Sequence, residues 1–441
     1  MKSSTKAPAS PKSTGSNGSR PTKMRTLIAL MLFITVVINY MDRANLSIAV
    51  PSIAAEFDLD PAQQGLLLSA FGWTYAAMQL PGGWLVDRVR PRVLYAACLA
   101  LWSIATVFMG MAGGFAALII LRLLVGGFEA PAYPINNKVA TSWFPERERA
   151  TAIAFYTSGQ FIGLALLTPV LAWLQEILSW HWVFIASGIV GIVWALFWYM
   201  TYRSPQEMSR ANEAEVELIR EGGGLVDLEE KSSAKTPFSW RDAGVVLSKR
   251  KLWGIYLGQF CLTSTLWFFL TWFPTYLVSY RGMDYLESGF LTSLPFIGAL
   301  VGVLISGFIS DWMVRRGKSL GVARKGPIIV GLLLSTVIIG ANFTDSTAVI
   351  IALMSIAFFG NGLASITWSL VSALAPERLI GLTGGMFNFI GNLSSIATPI
   401  VIGLLVTKTS FGPAFVYMTA VTALGVISYV LLVGKVTRVQ E

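Results

Sequence analysis

Apolar runs long enough to cross a bilayer recur along almost the whole chain. A spanning helix takes about 20 apolar residues. Such runs lie at about 27–54, 61–86, 93–113, 115–140, 147–174 and 180–202, and again at about 252–280, 286–314, 325–343, 346–374, 378–406 and 411–434. A polar stretch from Arg203 to Lys251 separates the two groups. The pattern predicts an all-α membrane protein with twelve transmembrane helices in two pseudo-symmetric six-helix bundles. The corresponding division is a basic cytoplasmic tail over 1–25, an N-terminal bundle over 26–202, a cytoplasmic linker over 203–251 and a C-terminal bundle over 252–441. The tail is rich in Ser, Thr, Pro and Lys without an acidic residue, a composition that predicts disorder. The first apolar run continues through Asp42 and Arg43, so it reads as a spanning helix and not as a cleaved signal peptide.

An internal repeat supports the division into six and six. Gly83-Trp-Leu-Val-Asp87-Arg88 follows the second run, and Gly307-Phe-Ile-Ser-Asp311, with Arg315 and Arg316 behind it, follows the eighth. Pro145-Glu146-Arg147 recurs as Pro376-Glu377-Arg378, and Gln160-Phe-Ile-Gly163 as Asn388-Phe-Ile-Gly391. Transporters are often built from such repeats, with the substrate held near the bilayer midplane between them.

Composition narrows the function classes. Of the 441 residues, 54% are hydrophobic and only 13% charged, about half the charged share of a soluble protein. Mean hydropathy is +0.63. The net charge of +9 would suit nucleic acid if the positives were clustered on one soluble face. Instead they follow topology. With both termini in the cytoplasm, 29 Lys and Arg fall inside and only Arg281 and Lys408 outside, with Arg43 and Arg122 within helices. This bias places the protein as a multi-pass resident of a bacterial cytoplasmic (inner) membrane, with lipid as a partner and no nucleic acid. Cys98 and Cys261 both lie in apolar runs and suggest no disulfide framework. One histidine, His181, cannot supply a His-rich metal site. No phosphate-binding loop or dinucleotide fingerprint is present, which argues against ATP-driven transport by this chain. No metal, cofactor or enzymatic centre is expected.

The informative residues are the polar ones inside the apolar runs. Asn39-Tyr40-Met-Asp42-Arg43-Ala-Asn45-Leu-Ser47 lies well inside the first, where each charge costs roughly 2.5–3.5 kcal/mol on insertion scales. At helical spacing Asn39, Tyr40, Arg43 and Ser47 share one stripe, while Asp42 points about 100° away from Arg43. Arg43 is therefore expected to face a substrate cavity and Asp42 a different neighbour. A static bridge between helices is the plainer alternative, and it can coexist with transport. Arg122 and Glu129 lie seven residues apart, on nearly one face of the fourth run, with Pro131 and Pro134 loosening the turns behind Glu129. A carboxylate balanced between burial and Arg43 suits a proton carrier; again a static pair with an arginine is the alternative.

No acid falls in the middle of a second-half span. The polar candidates there are Gln259, Asn361, Ser365, Thr367, Trp368, Asn388 and Asn392. Asn361 and Asn392 read best as interhelical glue, whereas the repeat sets Asn388 opposite Gln160. Tyr75 is a further candidate. The set suggests a hydroxyl-rich molecule with one carboxylate: Arg43 for the carboxylate, Tyr40, Tyr75, Gln160, Gln259, Thr367 and Asn388 for hydroxyls, Trp368 against the carbon chain. Phosphates and nucleotides would want a second basic residue.

The G-x-x-x-D-R element with trailing basics resembles the cytoplasmic gate signature of the major facilitator superfamily. There Asp87 and Arg88, with Asp311 and Arg315 in the second half, would pair with a neighbouring helix in one state and release it in another. The plainer reading is that Arg88 and Arg90 anchor to headgroups. The pattern's usual Gly-Arg after Asp-Arg is Arg90-Pro91 here, which stiffens that loop. More narrowly, Asn39-Tyr-Met-Asp42-Arg43-Ala-Asn-Leu46, Phe128-Glu129-Ala-Pro-Ala-Tyr-Pro134, Tyr156-Thr-Ser-Gly-Gln160, Ser179-Trp-His-Trp-Val-Phe184 and Ala364-Ser-Ile-Thr-Trp-Ser-Leu370 are similar to the anion:cation symporter family. The similarity runs from about Arg25 to Arg438 and includes Gly222-Gly-Gly-Leu-Val-Asp227.

This resemblance implies a monomeric, proton-coupled importer of a small sugar acid, D-galactonate before glucarate, hexuronates or tartrate-like acids. The proton would be the coupling ion, with no other cofactor. Asp42 and Glu129 would be the proton-coupling acids, with Arg43 linking them to the substrate. Tyr40, Tyr75, Gln160, Gln259, Ser365, Thr367, Trp368 and Asn388 would line the sugar site. The fifth run carries Gly159-Gln160 and lacks the Gly-Pro-rich motif of family members that exchange drugs for protons. A proton-antiporting exporter and a transport-inactive sensor are the rival readings.

Overall fold

The structure, a computed structural model, describes residues 20–227, 240–376, 379–407 and 409–439. Its elements are α1 (Met24–Glu56), α2 (Pro61–Ala77), α3 (Gln79–Arg88), α4 (Pro91–Met109), α5 (Phe115–Glu129), α6 (Ala132–Trp143), α7 (Glu146–Ile177) and α8 (Trp180–Thr201), then α9 (Glu213–Glu221) and α10 (Trp240–Ser248) in the linker. The second half holds α11 (Arg250–Thr271), α12 (Phe273–Thr275), α13 (Tyr285–Arg315), α14 (Leu320–Ser335), α15 (Thr347–Leu363), α16 (Trp368–Leu374), α17 (Ile380–Asn392), α18 (Ser394–Leu405) and α19 (Gly412–Ile427). Among the described residues there is no strand.

Helices occupy every expected run. Ten segments are long and apolar enough to cross a membrane, and an eleventh is formed if α11 and the bent stretch Phe273–Tyr280 count as one. The remaining expected span is α2 with α3, broken at Met78. Pro81 explains this break, because a proline there has no N–H to offer the carbonyl of Ala77. Prolines likewise interrupt α5/α6 at Pro131 and α11/α12 at Pro274. Starts are equally local. Asp60 accepts from the N–H of Gln63 at 2.8 Å while the Gln63 side chain accepts from the N–H of Asp60 at 2.9 Å, with Pro61 in the first turn. Glu146 and Glu148 sit in the first turn of α7, where the helix dipole favours them. The outer faces remain apolar: Phe308 and Phe343 are 73% and 82% exposed, as expected of side chains that meet lipid.

Each half packs mostly on itself, and the halves meet along two matching seams: α2 on α18, and α7 on α13. Two glycines permit this. A Cβ on Gly65 would lie 2.5 Å from the carbonyl oxygen of Pro399, and one on Gly289 would lie 2.5 Å from Cβ of Ala172. Only a residue without a side chain lets the backbones approach so closely. Hydrogen bonds join the halves beside the second seam: Ser52 Oγ with Tyr285 OH at 2.6 Å, and the N–H of Leu286 donating to Glu176 at 2.8 Å. These contacts lie at the end of the bundle away from the linker and the chain ends.

At the opposite end the linker is fastened to the first half. Glu215 of α9 is fully buried; it accepts from the hydroxyl of Thr22, from the backbone N–H groups of Met24 and Arg25, and from Arg25 Nε at 3.3 Å. Glu146 N donates to the Gly222 carbonyl at 2.7 Å, and Leu225 N to that of Thr141 at 3.0 Å. Residues 20–25 of the expected disordered tail therefore belong to the fold; residues 1–19 lie outside the described part.

Candidate functional site

Breaks in the helices decide where polar groups can gather. Glu129 is the last residue of α5, just before the break that Pro131 imposes. In the second half Ala364–Thr367 forms a tight 3-10 turn between α15 and α16.

Arg43 meets Glu129 at the first of these breaks. Its Nε donates to Glu129 Oε1 at 2.7 Å, and its NH2 lies 2.5 Å from the same oxygen. The Glu129 side chain is fully buried and that of Arg43 only 5% exposed. Oε2 of Glu129 lacks a well-formed hydrogen bond. Four rings surround the guanidinium, with centroids 4.7 Å (Tyr40), 4.9 Å (Phe71), 5.1 Å (Tyr75) and 6.0 Å (Trp267) from its central carbon. The last belongs to the other half, and Phe71 and Trp267 are themselves 6.0 Å apart. Arg43 therefore sits under an aromatic roof at the interface, more enclosed than a residue simply lining an open cavity. A second ring pair, Phe161 and Phe358, meets across the halves at 6.4 Å.

Asp42 does have a different neighbourhood, as the helical wheel requires. Trp102 Nε1 donates to its Oδ2 at 2.9 Å, and the Asn45 amide reaches Oδ1 at 3.4 Å while also donating to Ser187 Oγ at 3.1 Å. Arg122 does not pair with the Asp42 carboxylate in this arrangement: its NH1 donates to the backbone carbonyl of Asp42 at 2.9 Å, and its guanidinium lies 5.1 Å from the Phe71 ring. Two carboxylates are thus buried here, one held by an arginine and one by neutral donors.

In the second half, Thr367 Oγ1 donates to Gln259 Oε1 at 2.9 Å, and both are buried. Gln259 and Trp267 are eight residues apart on α11, so they share a stripe about 12 Å long, with Thr263 between them. This stripe connects the Arg43 cluster with the polar turn of the second half. Gln160, Ser365 and Asn388 are half-buried, and Trp368 is 50% exposed with its ring 4.9 Å from Phe387. None of these four has a hydrogen bond to the Arg43 cluster. Asn388 instead accepts from Asn392 at 3.1 Å. Asn361 donates to the Leu262 carbonyl at 2.8 Å, the interhelical glue expected of it.

Of the gate candidates, Arg88 lies exposed with its guanidinium 3.9 Å from the ring of Trp84. Asp87, Asp311 and Arg315 lie on α3 and α13, but their side chains are outside those described. The stiff Arg90-Pro91 loop has its own partner, since Arg90 donates to Glu207 of the linker at 2.9 Å.

Sequence reasoning missed Trp102, Phe71 and Trp267. Phe71 stands one turn before Tyr75, and Trp267 two turns beyond Gln259, so helical spacing held a signal for both. Trp102 lies in an apolar run with nothing to distinguish it from a core tryptophan.

Comparison with known proteins agrees with this architecture. The chain is 55% identical over 425 residues, 96% of its length and 99% of the other's, to a D-galactonate transporter of Escherichia coli O6:H1 (strain CFT073). It is 43% identical to a probable galactarate/D-glucarate transporter of Bacillus subtilis (strain 168), covering 95% of this chain and 94% of that one. Among solved structures, a D-xylose-proton symporter shares the fold at a TM-score of 0.68 and 16% identity over 93% of this chain and 97% of that one. Residues 32–398, most of the chain, match the family model. With its apolar helices, repeated halves and interfacial ion pair, the chain belongs to the Major Facilitator Superfamily.

Proposed function

We propose that this protein is a proton-coupled symporter that imports a sugar acid, D-galactonate in the first instance, by alternating access. The observation that carries the reading is the buried Arg43–Glu129 pair at the junction of the halves. An arginine engaged by a single carboxylate oxygen can exchange that partner for a substrate carboxylate, and it has the planar fork to hold one bidentately. Such an exchange leaves Glu129 without its cation in a buried place, which favours a proton there. Substrate and proton are then bound together because each makes room for the other.

The remaining roles follow. Tyr40 and Tyr75 offer hydroxyls beside Arg43, while Gln259 and Thr367 receive the far end of a polyol; Gln160, Ser365, Trp368 and Asn388 complete the wall as the halves rearrange. Asp42, held by Trp102 and Asn45, is the second proton-coupling acid. Arg43 is the cation offered to substrate, Arg122 being engaged by the Asp42 carbonyl, which favours a monocarboxylate over a dicarboxylate, and the name of the 55% identical relative points the same way. The Lys and Arg bias supports both termini in the cytoplasm of a bacterial inner-membrane protein, and the halves joined at the far end then correspond to an inward-open carrier. The gates at Asp87, Arg88, Asp311 and Arg315 would close the near end in the opposite state. A monomer suffices, since both halves of the site lie in one chain. A carrier of glucarate, a hexuronate or a tartrate-like acid is the second reading, favoured by the 43% identical relative.

The test is uptake of labelled D-galactonate into proteoliposomes, with and without an inward proton gradient, against gluconate, glucarate and glucuronate. Gradient-driven accumulation competed best by galactonate is expected. Stronger competition by another acid would change the substrate; no response to the gradient would remove proton coupling.

A further inference from the structure

Away from the transport pathway, a cavity of about 650 Å³ opens where the start of α11 meets the end of the chain. Its construction is local. The last helix, α19 continued by a wider π-helical stretch over Ser428–Val433, ends at Gly434, whose φ of +56° turns the chain out of the helical path. The segment beyond then runs back past the start of α11, pinned by the N–H of Val439 on the Leu374 carbonyl at 2.8 Å. Lys249, Arg250, Lys251 and Arg438 line the cavity, its floor is Leu431 to Gly434, and no carboxylate is among the described lining residues. Arg250 is held by donating to the Leu431 carbonyl at 3.0 Å, and Lys251 by donating to Thr437 Oγ1 at 2.6 Å. An arginine has five N–H donors and a lysine three, so both retain donors for a ligand.

What continues from the cavity identifies the class of ligand. Leu431, Val430 and Ile427, on the adjoining turns of the last helix, are 61%, 47% and 50% exposed. Trp253, one turn into α11, is 44% exposed, and its indole donates to the Leu247 carbonyl at 2.7 Å. A half-exposed tryptophan with its N–H anchored is the side chain that marks the membrane–water boundary. A basic cup above that boundary, continuous with an apolar slope below it, matches a molecule with an anionic phosphate head and acyl tails. Basic pockets of this kind between membrane helices hold acidic lipid headgroups.

We propose that this cup binds the phosphodiester of an anionic glycerophospholipid, with Lys249, Arg250, Lys251 and Arg438 around the head and the tails along Leu431 and Trp253. The site is independent of which substrate the carrier takes. The probe is phosphatidylglycerol added to the purified full-length protein in neutral detergent, read as bound copies by native mass spectrometry. Phosphatidylethanolamine serves as the zwitterionic comparison and glycerol phosphate as the soluble phosphate competitor.

The expected result is one phosphatidylglycerol retained at least ten-fold over phosphatidylethanolamine and not displaced by equimolar glycerol phosphate. K249Q/R250Q/K251Q should lose that preference, while R147Q/R210Q/R220Q, which removes as many charges elsewhere, should keep it. K249Q spares the bonds of Arg250 and Lys251, and should lower retention several-fold in protein that melts normally. Unchanged retention in K249Q, equal binding of the zwitterionic lipid, or displacement by glycerol phosphate would overturn the proposal.

Discussion

Replacing Glu129 by Gln removes a charge and little else, so it isolates the exchange of partners at Arg43. At 2.7 Å and an effective dielectric of about 20, the attraction between the two groups is about 6 kcal/mol before desolvation. In the wild type a substrate carboxylate has to compete with that attraction. In E129Q it does not, and relief of even about 1 kcal/mol strengthens substrate binding about five-fold. The same change removes the proton site tied to the substrate through Arg43, without which a proton on Asp42 is no longer linked to substrate. A gradient of one pH unit sustains about a ten-fold accumulation per coupled proton, and this contribution should fall to nothing in E129Q while exchange of internal for external substrate continues. The guanidinium left without its anion costs about 3–5 kcal/mol of stability, in part offset by the new amide oxygen, so thermal unfolding should be followed alongside. The assay is paired: gradient-driven uptake and counterflow in the same proteoliposomes. Gradient-driven accumulation persisting in E129Q would refute the coupling assignment. Folded E129Q that binds substrate more weakly than wild type would refute the competition at Arg43.

Arg43→Lys keeps the charge but loses the planar fork and the ring stacking, so KM should rise more than ten-fold in uptake kinetics. Gln259→Ala removes the acceptor of the Thr367 hydroxyl; KM should rise about three- to ten-fold, with the accumulation per pH unit unchanged. Gly65→Leu or Gly289→Leu places atoms where Pro399 or Ala172 already stands; the far end should then fail to close, read as faster labelling of S52C by an impermeant maleimide and at least ten-fold slower uptake. Glu215→Ala leaves the donors of Thr22, Met24 and Arg25 without their buried acceptor, and should destabilise the protein by about 2–3 kcal/mol, seen as a lower melting temperature in detergent.

Much of this was readable from the chain because a membrane penalises polar residues so heavily that each one inside a span has a reason. Arg43 and Glu129 stood out for that reason, and the helical wheel alone separated Arg43 from Asp42. The repeat offsets made the two-bundle plan visible, and Pro131 marked the loosened turn behind Glu129; the breaks near Pro81 and Pro274 lie inside runs that read as continuous. What stayed hidden was chosen by packing between distant segments. Nothing in the run around Trp102 distinguishes an indole that serves a carboxylate from one that fills the core. The roof of Phe71 and Trp267 depends on the halves meeting, which no local pattern encodes. The polar candidates Gln160, Ser365, Trp368 and Asn388 had the right chemistry, yet they stand apart from the Arg43 cluster in this arrangement. Glu215 looked like one acid in a charged linker; its burial follows only from the folding of α9 onto the start of α1.

That fastening sets a mechanical limit on the carrier. Because residues 203–227 travel with the first half through Glu215, Gly222 and Leu225, the connection between the bundles is not the whole polar stretch but the steps from Asp227 to Trp240. Thirteen such steps reach about 45 Å when fully drawn out. Covalent length alone therefore caps how far the linker-side ends of the two bundles can separate, a check-strap built into the chain. Shortening this span should first restrict the widest opening and only later disturb either bundle.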